Sequence, residues 1–357
     1  MSARTATRLA LEADIWTIAA GTAVAQIAFA TLVWLYGDSP RAMTMLMVEG
    51  TWGSAYGIGQ VMFKATPLLF TGLAVHVGLR AGLFNVGAEG QLAVASLAVG
   101  AIGAWLPAST PALVAVPLLV VVAGCVGASW AAPAALLRAV GAHEVISTIL
   151  LNRVAAALVG LLLGLGLAQK GAVRTPDVVP HARLARLDRL IPSFEGSAVS
   201  TAVLIGVATV AITLWILPRS RAGREQELVA KNDEACFVEG IPVAWRRAQA
   251  LLVSGALAGL ASLGTVLGYK GYYEQGLGAG AGFAGLAVAI LGRGRLLGIV
   301  FAALLFGTLA QGGLAINAHV PAEVMEVIQG VVIVAVALGD ARIRSWLTSK
   351  LVVLGAR

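Results

Sequence analysis

Residues 78–91 read Gly-Leu-Arg-Ala-Gly-Leu-Phe-Asn-Val-Gly-Ala-Glu-Gly-Gln, which sets Asn85, Glu89 and Gln91 among four glycines. At membrane depth, backbone broken by glycine is tolerated only against protein or a polar cavity. The segment therefore suits the lining of a path for a polar solute. Glu89 has a second, compatible role: an acidic group at a helix start complements the helix dipole. His143 and Glu144 open a further apolar run, and Asn152 and Arg153 lie inside it. Intramembrane polar groups face a cavity or a partner because lipid does not solvate them. Glu144 and Arg153 are nine positions apart, so they do not share a helix face at close range. Arg153 and Lys64 are alternatively side chains that snorkel toward a membrane surface. Gln311 adds a polar position to a later apolar run.

A different chemistry is expected from residues 224–240, Arg-Glu-Gln-Glu-Leu-Val-Ala-Lys-Asn-Asp-Glu-Ala-Cys-Phe-Val-Glu-Gly. Asn232 or Asp233 suits a helix N-cap, and Gly240 suits the residue after a helix end. A short charged helix between two apolar runs is a natural docking element, and an ordinary solvated loop is the simpler alternative. No catalytic set accompanies these residues. The patterns GxxxxGK[ST], HExxH, GxSxG and CxxC are absent, and the four histidines are scattered. Cys125 sits in an apolar run and Cys236 in the charged segment, so neither a disulfide framework nor a metal site is expected.

The elements that position these groups follow from composition. Of 357 residues, 59% are hydrophobic and 12% charged, with mean hydropathy +0.87. Soluble domains carry about 25% charged residues. The long unbroken apolar runs indicate helices, since barrel strands alternate apolar and polar positions. The expected fold is an all-α integral membrane protein of about ten transmembrane helices. The spans fall near 15–36, 55–79, 89–106, 111–137, 144–168, 198–218, 247–269, 278–292, 296–315 and 321–340. Arg4 and Arg8 precede the first run and Ala28-Phe29-Ala30 has the form of a cleavage site. Glu12 and Asp14 interrupt the basic region, however, and the run reaches Tyr36, so an uncleaved first helix is expected.

With both termini cytoplasmic, sixteen of the 25 Lys and Arg face inward, seven face outward, and Lys64 and Arg153 fall within spans. The positive-inside rule favours that orientation. It places the Pro-containing segment 169–197 outside and the charged segment 219–246 in the cytoplasm, within one membrane domain covering 1–357. The net charge of +7 lies in short loops. It is read as topology control and contact with anionic lipid, and nucleic acid is not an expected partner. Small residues recur four apart at Gly160/Gly164, Gly255/Gly259, Gly264/Gly268 and Gly278/Gly282. Such faces serve close packing or sliding of helices.

Four places carry a resemblance: the run from Gly82 through Asn85, Glu89 and Gln91; the run from Glu144 to Asn152; Gly280-Ala281-Gly282-Phe283 with Gly285 to Arg293; and Val327-Ile328-Gln329-Gly330. Over about residues 55–340 the chain resembles the permease subunits of ABC importers for nucleosides and simple sugars, a branch of the ribose and branched-chain amino-acid permease superfamily. The resemblance implies a ten-helix permease working beside a second permease subunit, as a heterodimer. It also implies a cytoplasmic ABC ATPase that binds ATP and magnesium, and an external substrate-binding lipoprotein. No cofactor and no catalytic residue are expected in this chain. Asn232, Asp233, Glu234 and Ala235 through Gly240 match the family's ATPase-coupling loop, although Lys231 stands where the family has Gly. Ala284 replaces an acidic residue of the family and Arg153 a Tyr.

Together these readings imply a multi-pass protein of the bacterial inner membrane that translocates nucleosides or nucleobases. The expected pathway residues are Asn85, Glu89, Gln91, Glu144, Asn152 and Gln311, and alanine at Asn85 is expected to slow transport while leaving assembly intact. A pentose is the alternative substrate. A stand-alone secondary transporter is a further alternative with thin support from Glu89 and Glu144, and an intramembrane enzyme lacks a catalytic set.

Overall fold

The computed structural model describes residue 21, residues 23–321 and residues 323–335. Among these residues every regular element is a helix, and extended pairing is limited to two isolated bridges, Arg174 with Glu274 and Arg186 with Ser200. The elements are α1 (Ala23–Leu35), α2 (Pro40–Thr51), α3 (Ala55–Arg80), α4 (Ala88–Trp105), α5 (Ala112–Ala139), α6 (Glu144–Leu162), α7 (Ala202–Arg219), α8 (Arg221–Lys231), α9 (Asp233–Val238), α10 (Val243–Leu260), α11 (Ala281–Leu291), α12 (Leu296–Ala315) and α13 (323–335). Stretches of π-helix, Leu163–Leu167 and Leu263–Lys270, prolong α6 and α10.

Among the described residues six helices are long and apolar enough to cross a bilayer: α3, α5, α7, α12, and α6 and α10 with their extensions. Each of the ten expected spans overlaps a helix, with parts of the first and last outside the described residues. The expected span 278–292 is helical only over α11. Eleven residues rise about 16 Å, roughly half of a hydrocarbon core. The helix starts late because Gly276, Gly278 and Gly280 all have φ between 80° and 87°, a region that halts a right-handed helix. The connection left between the first two expected spans contains α2, begun by Ser39 and by Pro40 at its first position.

The chain forms two compact units, residues 55–307 and residues 1–54 with 308–357. In the smaller unit α2 lies on the end of α12, with Gly50 against Ala315 and Met47 against Gly312. In the larger unit α3 and α10 are central. Their apolar windows are 72% and 78% buried, against 22% to 28% in α5, α6 and α7, whose apolar side chains point outward as lipid-facing helices require. Segment 169–197 is packed against the helix ends. Thr175, Val178 and Leu184 donate backbone N–H bonds to Tyr273, Gly271 and Leu267, and Val178 and Ala182 are fully buried.

Candidate functional site

The segment 82–91 is built from the end of α3. Gly82, at φ 71°, closes that helix while Leu83 N–H reaches Gly78 O and Gly82 N–H reaches Leu79 O, both at 3.0 Å. This 6→1 and 5→2 pair is a Schellman stop. The chain then turns inward on Asn85, whose Oδ1 accepts from Gly87 N–H at 2.9 Å. Its Nδ2 donates to Gln91 Oε1 at 3.0 Å and to Ser254 Oγ at 2.7 Å, and Gln91 Nε2 donates back to Asn85 Oδ1 at 3.3 Å. The Ser254 hydroxyl in turn donates to Ala74 O. Asn85, Gln91 and Ser254 are all at or below 1% exposure. The two amides are thus matched to one another inside the protein.

Two further expected residues hold the same segment from α6. Asn152 accepts from Gly90 N–H and donates to Val86 O, each at 2.9 Å. Glu144 is buried, accepts from Phe84 N–H at 3.4 Å, and pairs with Arg138 Nε at 3.2 Å. Its ionic partner is therefore the last-turn arginine of α5, six positions earlier across a tight turn, while Arg153 is exposed. Glu89 lies in the first turn of α4. Its two carboxylate oxygens accept from Gly280 N–H at 2.7 Å and Gly282 N–H at 2.9 Å. Beside it a cavity of about 220 Å³ is lined by Glu89, Asn152, Tyr273 and Gln275 together with glycines and apolar residues. Asn85, Gln91 and Glu144 are not among its lining residues, and Gln311 belongs to the other compact unit. Nothing in the sequence paired Asn85 with Ser254 or Glu89 with the Gly280 and Gly282 amides, which lie 169 to 193 positions from their partners.

The candidate docking segment 224–240 forms as a capped element. Asn232 Oδ1 accepts from Ala235 N–H at 3.0 Å and starts α9. Gly240, at φ 74°, follows its end, and Ile241 N–H returns to Cys236 O. Cys236 anchors the helix at 5% exposure, whereas Phe237 and Val238 are 78% and 84% exposed. Asp233, Glu234 and Ala235 are also exposed. Asp233 meets Arg247 at 3.1 Å, and Glu227 of α8 meets both Arg80 at 2.7 Å and Lys231 at 3.0 Å. Glu225, nearly covered, is held between Arg221 and Arg246. The Arg221 hydrogen bond is the largest influence on the Glu225 carboxyl; burial opposes it, and with the further help of Arg246 the carboxyl is held below its ordinary range. Lys231 and then Arg80 do the same for Glu227. These ion pairs tie the segment to the ends of α3 and α10. A groove of about 690 Å³ runs beside α9, lined by Phe237, Trp245, Arg138 and Arg247 among others.

Residues 57–337 match the family described as branched-chain amino acid transport system / permease component. The chain belongs to that family. It is similar to a glucose ABC transporter permease protein of Haloferax volcanii, 35% identical over 91% of this chain and 86% of the relative. It is also similar to a guanosine ABC transporter permease protein of Bacillus subtilis, 32% identical over 81% and 83%, and to a nucleoside ABC transporter permease protein of Lactococcus lactis, 29% identical over 80% of each. The chain is an ABC importer permease subunit and a multi-pass membrane protein, a transport component rather than an enzyme. Membership implies an ATPase and a substrate-binding partner.

Proposed function

We propose that this permease passes nucleosides or free nucleobases across the bacterial inner membrane, and that the cavity between α4, α6 and the loop 271–280 belongs to the path. The observation that carries the reading is the lining. Asn152, Gln275 and Tyr273 are neutral, and Glu89 already receives two backbone N–H bonds. Such a surface hydrogen-bonds a neutral polar solute without fixing it by charge, which suits a path that must also release. The guanosine and nucleoside relatives support the choice of solute. The glucose relative favours a simple sugar as the second reading, and the same lining would serve ring hydroxyls. Deletion of the gene should abolish uptake of at least one labelled nucleoside or nucleobase and spare ribose and glucose. Sugar uptake lost with nucleoside and nucleobase uptake intact reverses the ranking.

On this reading the subunit is of the ten-helix type with both termini cytoplasmic. Loop 271–280 and α11 together make the eighth crossing. The chain works in a heterodimer with a second permease, α9 with Asn232 to Gly240 docks on a partner ATPase that binds ATP and magnesium, and an external lipoprotein delivers the substrate. The exposed Phe237 and Val238, on a helix anchored through Cys236, support the docking role. The orientation is tested with single cysteines at Ser193 and Glu239, both exposed, in a background lacking Cys125 and Cys236. In intact cells an impermeant thiol reagent should modify the first and not the second. The reverse pattern rules out this topology.

A further inference from the structure

Loop 271–280 descends beside α4. Tyr273 abuts Gly100, Gly278 lies near Leu92, and Gly280 and Gly282 reach Glu89. At that junction the approach is close: a Cβ on Gly282 would lie 2.3 Å from Glu89 N. The short helix α11 is thus seated on the first turn of α4, and the Glu89 carboxylate satisfies two backbone N–H groups at its start. A helix start without such a partner leaves these groups unpaired. Glu89 lies near one end of the segment 82–91, and the other end of that segment rests on α8. A Cβ on Gly82 would lie 3.3 Å from Ala230 Cα of α8, and Arg80 pairs with Glu227 at 2.7 Å. Between the two ends, Asn85 bonds the segment to Ser254 of α10, Asn152 and Glu144 bond it to α6, and the Asn85–Gln91 pair braces it from within, which leaves it little freedom to flex.

We propose that Glu89 is a positioning residue for transport, fastening α11 to α4 so that movement of the cytoplasmic segment is carried to α11 and to the cavity beside it. The inference rests on the reading of 219–246 as the ATPase-coupling segment. The chemistry requires a carboxylate. Two acceptor oxygens meet two donors, whereas a glutamine would turn its own NH2 toward one of the N–H groups.

The test uses the whole complex of both permease subunits, ATPase and substrate-binding protein in proteoliposomes, and reads substrate moved per ATP hydrolysed. Glu89→Gln should lower that ratio about tenfold. Thr71→Val removes a different bond to α11, Thr71 Oγ1 to Ala281 O at 2.9 Å, and should leave the ratio near the wild-type value. An unchanged ratio in Glu89→Gln, or an equal fall in Thr71→Val, overturns the proposal. Glu234→Lys separates the two readings: a lowered ratio supports docking through α9, and no change refutes docking while the Glu89 arms still stand. Should Glu89→Gln not assemble, spin labels at Val238 and Phe283 decide in the otherwise unchanged complex. Their separation should stay constant between nucleotide-free and nucleotide-bound states, and a change in it overturns the linkage.

Discussion

Gly259→Val is expected to remove folded, detergent-stable permease from the membrane fraction. The reason is the crossing of α5 and α10, where backbone meets backbone. A Cβ on Gly259 would lie 2.1 Å from Ala123 O, and one on Gly127 would lie 2.2 Å from Gly255 O. Atoms of that kind do not approach so closely, and no rotamer change relieves a clash with main chain. The helices would have to separate, which also draws Ser254, the residue before Gly255, away from Asn85. Overpacking a core costs about 1–3 kcal/mol where side chains can give way. Here nothing gives, so the cost lies at or beyond the upper end. Gly164→Ala is the contrast, because no atom of the described residues lies within 4 Å of the position a Cβ would take. Its yield and thermal midpoint should match wild type. Size-exclusion profiles and melting of the purified complex check both, and a wild-type profile for Gly259→Val would show that the crossing is looser than described.

Asn85→Ala should destabilise the permease before it slows it. The sequence reading expected the reverse, a slower but assembled transporter, because it placed Asn85 on a solute path. In the structure Asn85 is fully buried and serves Gly87 N–H, the Gln91 amide and the Ser254 hydroxyl at once. A buried polar group that loses its partner costs about 1–3 kcal/mol. Gln91 and Gly87 both lose theirs, so a total of roughly 3 kcal/mol or more is expected. Gln91→Ala should cost a similar amount, and the double variant should cost much less than the sum, since the two amides mainly serve each other. The measurement is a thermal or denaturant midpoint for each variant, with transport normalised to assembled protein. A wild-type midpoint with slow transport would favour the pathway role of Asn85 over the structural one.

Local physics was legible in the sequence. The apolar runs marked where helices lie, because bilayer thickness demands length and lipid demands apolar side chains over that length. The capped α9 was readable from Asn232 and Gly240, since a cap is decided within a few residues of chain. The α2 helix was missed because its twelve residues fall short of a span.

Glycine spacing was a weaker guide, because it belongs to one helix while packing belongs to two. Gly255 and Gly259 meet Gly127 and Ala123 across a true crossing, whereas Gly164 meets none of the described residues and Gly278 lies in a turn of left-handed backbone. Tertiary structure alone decided the partners of the polar residues. Asn85 finds Ser254 169 positions away, and Glu89 finds the Gly280 and Gly282 amides 191 and 193 positions away. The sequence by itself thus determined which groups needed partners inside a membrane protein, through the cost of leaving a polar group unpaired. Which partner each received depended on helices brought together only by folding, where the shape of the backbone, set by close glycine contacts, selects among many chemically equivalent donors and acceptors.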